Sequence, residues 1–534
     1  MSEVSRRRFL GRAAAAGGVA WAGTVVSAPD AARAAAPYGP GPEDAVTVGP
    51  SDARYQDLVL RGINKAFTGH PESIRVVTAP EQVAQVVQEA VSAGKRIAVR
   101  SGGHCFENFV DDPDVNVVID VSRMKAVSYD PRHGAFAIES GATLGDVYTD
   151  LYLGWGVTLP AGTCPDVGIG GHLAGGGYGA LAHRHGLAAD HLYGVEVVVV
   201  DRSGRARTVL ATRNPDDPHR DLWWGHTGGG GGNFGVVTRY LVRSPDARGD
   251  DPSTVLPRPP GKLLTCSAVW QWADLNEASF SRLVRNFMTW REQKGPTADP
   301  ELNAGFTLNH AINGQIELDV GIDGTLPGAQ QRIDDYLAAV SHGVGAHYAT
   351  TPSSGPWLKK TLYYVYPGDY SFKNKDALLR TAWTDQQIAT VHRYLTQGGA
   401  EHYGAQVFVG HYGGKVNTVA PSATAMPHRD SLFSAVFQAP WFSQDQAAAQ
   451  LAWVRSLYRD VHADTGGVPV PGPAYGGCYI NYPDTDIADP AWNKSGVPWH
   501  AFYYRDNYPR LQRVKAHWDP RNVFHHALSI EPGA

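Results

Sequence analysis

Two reactive side chains stand in stretches of chain that carry almost no side-chain mass. Cys164 lies in PAGTCPDVGIGGHLAGGGYGAL, Pro160 to Leu181, and a histidine, His104, stands in RSGGHC, Arg100 to Cys105. Glycine lets backbone approach a ligand closely and adopt positive φ, and successive amides form a nest for an anion such as a phosphate. One glycine loop of this kind is commonly only a turn. RSGGH, PAGTCPDVGIGGH, LAGGGYG and HTGGGGGNFG all fall within one stretch of chain, and together they point to a long ligand touched along its length by main chain, such as a dinucleotide.

Other glycine chemistries are excluded by context. The literal GxGxxG at Gly230, Gly232 and Gly235 is followed by VVTRYLV, which reads as a strand, whereas a Rossmann fingerprint needs a strand before it and a helix after it. The run from Gly175 to Gly179 lacks a clear strand before it, and no GxxxxGK[ST] occurs. The four cysteines, Cys105, Cys164, Cys266 and Cys478, match no zinc or CxxC spacing, so neither a metal site nor a disulfide framework is expected. A formal charge of −5 gives no global basic field, so no nucleic-acid partner is expected.

The elements that must position these loops are legible from periodicity. SIRVVT reads as a strand; TAPEQVAQVVQEAVSAG reads as a helix with a capping box from Thr78 to Glu81 and a stop at Gly94; RIAVR returns as a strand into the RSGGH loop. VNVVIDVS, GAFAIESGAT, GVEVVVVD and GVVTRYLV add further strands. RSPDARGDDPSTVLPRPPGK is polar and proline-rich and marks a boundary. Beyond it, strands such as LLTCSAVWQW alternate with amphipathic helices, with Trp270 and Trp272 on one strand face, placed either to stack on a ring or to fill the core.

The expected fold class is therefore α+β in two domains, with a ligand-binding domain over 60–245, a second domain with an antiparallel sheet and helices over 246–470, and a closing segment over 471–534. Residues 1–36 read as an export leader: SRRRFLG, an Ala/Gly/Val run, then Ala32-Arg33-Ala34. Ser-Arg-Arg-x-Phe-Leu resembles a twin-arginine signal, which carries proteins out already folded and so implies a secreted protein. No apolar run is long enough for a membrane anchor.

RSGGHC, CPDVGIGGHLAGGGYGALAHRHGLAAD and GGGGGNFGVVT resemble the flavin domain of the vanillyl-alcohol-oxidase-like superfamily, and GCYINYPDTD and YYRDNYPRLQRVKAHWDPRNVFHHALSI resemble the closing segment of its berberine-bridge-enzyme-like branch. The resemblance implies FAD attached twice, through His104 and Cys164, and a C-terminal segment that returns to complete the flavin site. Carried over by motif, the cofactor contacts are Arg100, Ser101, Gly102 and Gly103 ahead of His104, then Gly168, Gly170, Gly171 and His172, then Gly176, Tyr178 and Gly179, with Val236 after the last glycine loop and Asn507 in DNYPR.

The resemblance further implies oxidation of a small-molecule alcohol, with a tyrosine taking the hydroxyl proton: Tyr482, or failing it Tyr479, with Tyr412 as a second active-site tyrosine and Lys415 able to stabilise a phenolate. Read as a strand, GCYINYPD puts Tyr479 and Tyr482 on opposite faces. Relatives with a glutamate base carry it where this chain has Thr418. Val167 falls at the position that controls oxygen access in relatives, which implies dioxygen as acceptor and hydrogen peroxide as co-product. The implied substrates are hydroxyls of glycosylated or polyketide products in bacterial secondary metabolism. Sugar oxidation, a dehydrogenase with another acceptor, and a non-catalytic binding protein of the same fold are the alternatives.

Overall fold

The computed structural model describes residues 44–295, 299–364 and 368–533. The leader read over residues 1–36 lies outside them.

Three sheets carry the chain. The first joins β1 (Val46–Val48), β2 (Ser73–Val76), β3 (Ile97–Arg100) and β4 (Val117–Asp120) in the order β1-β2-β4-β3, parallel except for β1. The second is antiparallel and joins β5 (Val127–Asp130), β6 (Ala135–Glu139), β7 (Leu192–Val200), β8 (Ala206–Thr212) and β9 (Val236–Val242) in the order β5-β6-β9-β7-β8. The third is also antiparallel. It comprises β10 (Lys262–Gln271), β11 (Asn303–Asn309), β12 (Gln315–Asp323), β13 (Ala349–Pro356), β14 (Ser371–Leu379), β15 (Gln406–His411), β16 (Phe433–Trp441) and β17 (Tyr475–Gly477), ordered β13-β10-β12-β11-β15-β16-β14-β17.

The proline-rich segment separates the second sheet from the third, but residues 42–534 form one compact unit. The sheets overrun the expected bounds at two places: β1 joins the first sheet from upstream of residue 60, and β17 extends the third sheet from beyond residue 470.

The helix Pro80–Ser92 buries Val83, Val86, Val87 and Ala90 in a core shared by the first sheet (Ile97, Val117, Ile119) and the second (Val198, Val200, Val236), and Gly94 follows it at φ +65°. Its start differs from the expected capping box. Ala79 is the N-cap, Pro80 supplies a preset φ, and Gln82 Oε1 accepts from Thr78 N–H at 2.8 Å. The third sheet has two unlike faces. Trp270, Leu308, Ile316, Val407 and Phe437 belong to a core shared with Phe280 and Phe287 of the helix Glu277–Lys294 and Leu457 and Val461 of the helix Ala447–Val461. Trp270 is fully buried in that core, and Trp272 leaves the strand to stack on Phe280 with centroids 5.4 Å apart, so neither offers a ring to a ligand.

The C-terminal segment returns to the glycine loops of the first half. Tyr504 donates to Gly229 O at 2.8 Å, Lys515 Nζ to Asn233 O at 2.7 Å, and Ile530 N–H to Asn233 Oδ1 at 2.8 Å.

Candidate active site

The loops bearing His104 and Cys164 are locked together by backbone contact. A Cβ on Gly102 would lie 2.3 Å from Gly168 N, and one on Gly168 would lie 2.2 Å from Gly102 N. Only glycine at both positions allows this approach. Ser140 O then accepts from both loops, from Ser101 Oγ at 2.6 Å and from Gly170 N–H at 3.1 Å. The Cys164 loop also hangs on the start of the helix Leu144–Trp155: Gly145 N–H donates to Pro165 O at 2.8 Å and Leu144 N–H to Val167 O at 2.9 Å, and Thr143 and Asp146 close that helix with a capping box. Gly103, at φ +78°, turns the chain toward His104.

Between these loops and the open face of the third sheet lies a cavity of about 790 Å³. Arg100, Ser101, Gly102, Gly103, His104, Cys164, Gly168, Gly170, Gly171, His172, Tyr178, Gly179 and Val236 line it, as do Tyr412, Tyr479, Tyr482 and Val167. Gly176 and Asn507 do not. Gly176 packs toward Met426, and the Asn507 amide instead clamps a loop by donating to Pro421 O at 2.9 Å and Thr424 O at 3.1 Å. Lys415 and Thr418 are exposed and outside the cavity. The cation whose field bears on Tyr412 is Arg429, paired with Asp190 at 2.7 Å.

Burial sets the charge state of the wall. It pushes the His104 pKa down to about 4 and that of His172 to about 4, so both imidazoles are neutral near pH 7. His172 Nε2 accepts from Gly162 N–H at 3.0 Å, as a neutral ring can. Burial raises the Cys164 thiol above its ordinary range and lifts neighbouring Cys105 to about 12.

Tyr178, Tyr412, Tyr479 and Tyr482 meet where the glycine wall joins the sheet. Tyr178 is the hub: its ring contacts those of Tyr412, Tyr479 and Tyr482 at 5.5, 5.3 and 6.2 Å, and its hydroxyl lies 2.9 Å from Ser434 Oγ and 3.4 Å from Tyr482 Oη. Tyr479 and Tyr482 are not on opposite faces of a strand. The strand ends at Gly477, and Tyr482 N–H donates to Tyr479 O at 2.8 Å, closing a turn that brings both rings to one side, 5.2 Å apart. Tyr479 Oη accepts from Gly177 N–H at 2.9 Å and Asn481 Nδ2 at 2.7 Å. Tyr412 donates to His428 O at 3.3 Å. Tyr482 stacks on Phe106 with the rings 6° from parallel. Burial raises the pKa of each of these four phenols.

The floor of the cavity holds polar groups that the motifs did not indicate. Asn374 on β14, Gln438 on β16 and Gln406 on β15 stand opposite one another in strand register, and all three line the cavity. Gln406 Nε2 donates to Gln438 Oε1 at 2.8 Å, while Asn374, 95% buried, has no hydrogen-bond partner for Oδ1. The signal was present as alternation: in QVFVGH, Gln406, Phe408 and Gly410 face the cavity while Val407 and Val409 face the core.

The site fits a flavin dinucleotide. Gly171 and Gly231 have only open space or a distant backbone atom where a side chain would stand, Gly230 and Gly232 present backbone at φ +87° and +73°, and buried Arg100, whose Nε lies 3.5 Å from Asp120 Oδ2, has no hydrogen-bond partner for its two terminal guanidinium nitrogens. After Gly235 the chain enters β9 directly, so these amides cradle a ligand without a Rossmann helix.

A glycine-lined dinucleotide cavity opening onto an antiparallel sheet, with tyrosines at the junction, defines a flavin-dependent oxidoreductase. Residues 71–209 match the FAD binding domain family, and 478–531 match the family described as berberine and berberine like. The chain is 50% identical to the aclacinomycin-N/aclacinomycin-A oxidase of Streptomyces galilaeus, over 100% of this chain and 99% of that one. The crystal structure of aclacinomycin oxidoreductase superposes with a TM-score of 0.90 at 50% identity, covering 92% of this chain and 100% of that one. The glycopeptide hexose oxidase DBV29, complexed with teicoplanin, does so with 0.88 at 48% identity over 92% and 100%. The chain belongs to the berberine-bridge-enzyme-like family of FAD-dependent oxidoreductases.

Proposed function

We propose that the chain is an exported oxidase that converts a hydroxyl of a glycosylated or polyketide-type metabolite to a carbonyl and reduces dioxygen to hydrogen peroxide, on FAD bonded to both His104 and Cys164. The observation that carries this reading is the make-up of the cavity: the wall with the two nucleophiles faces a floor of amides, and the tyrosine cluster joins them. An amide row with an unpartnered acceptor suits a hydroxyl-rich ligand, because each hydroxyl both donates and accepts. The names of two relatives, an aclacinomycin oxidase and a glycopeptide hexose oxidase crystallised with teicoplanin, support the same substrate class.

Bound FAD supplies the hydride acceptor and returns the electron pair to dioxygen. The task left to the chain is to hold the alcohol and take its proton. Tyr482 Oη is the assigned acceptor. Tyr479 is less suited, because its oxygen already accepts two N–H donors and a phenol has two acceptor lone pairs. Taking the alcohol's proton turns a Tyr482 phenolate into a phenol, so Tyr482 acts from its deprotonated form, and the Tyr178 hydroxyl, 3.4 Å from Tyr482 Oη and itself 2.9 Å from Ser434 Oγ, is placed to donate to that phenolate beforehand.

The test uses purified protein with FAD. Acid precipitation is expected to give a yellow pellet that loses its flavin in stages when His104 and then Cys164 are changed to Ala. Aclacinomycin A, aclacinomycin N and simple hexoses are then screened for hydrogen peroxide release. A colourless pellet refutes the covalent bonds. Reduced flavin that takes many minutes to reoxidise in air refutes the oxidase assignment, and an unchanged flavin spectrum with every alcohol refutes catalysis. Turnover of hexoses alone would make the chain a sugar oxidase. Export is tested by changing Arg6 and Arg7 to Lys, which is expected to hold the protein inside the cell.

A further inference from the structure

A lattice of six charged side chains lies behind the site, and none of the proposed chemistry uses it. Lys373 Nζ bonds Glu107 Oε1 and lies 2.8 Å from Asp484 Oδ1. Lys375 Nζ lies 2.6 Å from Asp484 Oδ2 and 2.8 Å from Asp486 Oδ2, and Arg455 grips Asp486 through both oxygens at 2.9 and 2.8 Å. Glu107, Lys373, Lys375, Asp484 and Asp486 are each no more than 7% exposed. The formal charges cancel. Such a lattice is a poor device for stability alone, since well-packed apolar side chains of similar volume commonly stabilise as much or more.

Its connectivity gives it another use. Glu107 is three residues after His104, Asp484 and Asp486 are two and four residues after Tyr482, and Lys373 and Lys375 flank the cavity-floor residue Asn374 on β14. Thr485 adds a second link by donating its N–H and hydroxyl to the two Glu107 oxygens, each at 3.3 Å. Phe106, adjacent to Glu107, is the ring stacked on Tyr482 at 5.4 Å, and it also meets Phe372, adjacent to Lys373, edge-on at 5.3 Å. Three separated parts of the chain are thus joined at one neutral knot: the loop with His104, the turn with Tyr482 and the strand with Asn374.

We propose that Glu107 and Lys373 are positioning residues that hold the His104 loop and the Tyr482 turn in one register on β14, so that flavin attachment and proton acceptance depend on the same ion pair. This rests on the roles proposed above for His104 and Tyr482. The geometry carries it because the pair spans the two loops, while Asp484 ties them to the same strand. Loss of the Glu107–Lys373 contact frees Phe106 and Tyr482 together, leaving Lys375, Arg455, Asp484 and Asp486 as a smaller neutral group.

The experiment compares full-length wild type with Glu107→Gln, the pair Glu107→Met with Lys373→Met, and Lys373→Arg, each purified with FAD. The pair keeps the remaining lattice neutral and guards against a variant that fails only because one buried charge is left alone. Three quantities are read: the melting temperature, the fraction of flavin retained on the denatured polypeptide, and kcat and KM with aclacinomycin A. The paired variant is expected to melt within a few degrees of wild type yet retain less than half the attached flavin. Its kcat should fall at least tenfold while KM stays within about twofold. Glu107→Gln should show the same direction, and Lys373→Arg, which can still bridge Glu107 and Asp484, should restore attachment and kcat.

A folded paired variant with wild-type attachment and kcat overturns the proposal. So does a loss of attachment strictly in proportion to lost stability across the whole series. If wild type itself retains no flavin after denaturation and oxidises none of the probes, the functional reading fails before any variant is compared.

Discussion

Among the four clustered tyrosines the proposed proton transfer favours Tyr482: Tyr479 Oη already accepts from Gly177 and Asn481, Tyr412 donates to His428 O, and Tyr178, 2.9 Å from Ser434 Oγ, lies 3.4 Å from Tyr482 Oη as its hydrogen-bond partner. Burial pushes the Tyr482 pKa well above its ordinary range, so the phenol is predominantly neutral at pH 7. A base with a raised pKa is active in its deprotonated minority, and the sign follows: flavin reduction by substrate should accelerate as pH rises from 6 to 9. Stopped-flow reduction of the holoenzyme checks this. Tyr482→Phe is expected to lower the rate by roughly a hundredfold or more and to flatten its pH dependence; a variant that keeps both rate and slope would remove Tyr482 from proton transfer. His104 behaves in the opposite sense. Its imidazole, held down to about pH 4, is neutral and nucleophilic through the neutral range. Flavin attachment to the Cys164→Ala apoprotein, where only the His104 bond can form, should therefore proceed at a similar rate at pH 6 and pH 8 and slow below pH 5, as followed by in-gel flavin fluorescence.

At the scale of elements, the glycines separate into two kinds with different expected outcomes. Gly102 and Gly168 hold backbone against backbone, so alanine at either must pry the two nucleophile loops apart. Gly102→Ala and Gly168→Ala should yield little folded protein and no attached flavin, whereas Gly171→Ala, with nothing within 4 Å of the added methyl, should fold and lose flavin content alone. Sequence made these loops legible because the close approach they need admits one residue type and leaves it in a dense cluster. It did not make the tyrosine turn legible. The spacing of Tyr479 and Tyr482 fits either a strand or a turn, and the choice is made by distant groups: Asp376 accepting from Tyr479 N–H, Tyr503 Oη accepting from Asp484 N–H at 3.0 Å, and the Glu107 lattice. Asn507 misled for a similar reason, since a buried amide clamps a loop as readily as it meets a cofactor. The amide floor was written in the period-two alternation of β14, β15 and β16, but its members meet only when strands remote in sequence pair. Asn374→Leu should raise KM for a glycosylated substrate about tenfold with kcat little changed, as expected for lost binding shared by ground and transition states. An unchanged KM would take the sugar off that floor.

Across the whole molecule, histidines buried without a carboxylate partner link stability to pH. Burial lowers the pKa values of His183, His226 and His462 to about 4, and those of His411 and His428 well below the ordinary 6.5. For His183 and His411 the nearby Arg291 guanidinium adds to the effect, and Arg291 spends a hydrogen bond on Tyr412 O at 2.5 Å rather than on a carboxylate. Each such group is neutral in the folded chain and titrates near 6.5 in the unfolded one. Between those values the unfolded chain binds more protons, so stability is intact above about pH 6.5 and is lost as pH falls toward 4, at roughly 1.4 kcal/mol per pH unit for each histidine kept neutral. The lattice carboxylate Asp486, whose pKa is held far below the usual range once its cations outweigh its burial, becomes protonated only in stronger acid. The two contributions therefore separate on the pH axis. Thermal melts of the holoprotein should show a fall in midpoint from pH 6.5 to 4.5, offset in part by Asp319, Asp376 and Glu107, whose pKa values burial raises, to about 6 for Asp319, and His462→Gln, outside the cavity lining, should make that fall shallower. A fall equally steep in that variant would mean that the interior accepts imidazolium at this position, and that burial in this fold does not hold the ring neutral.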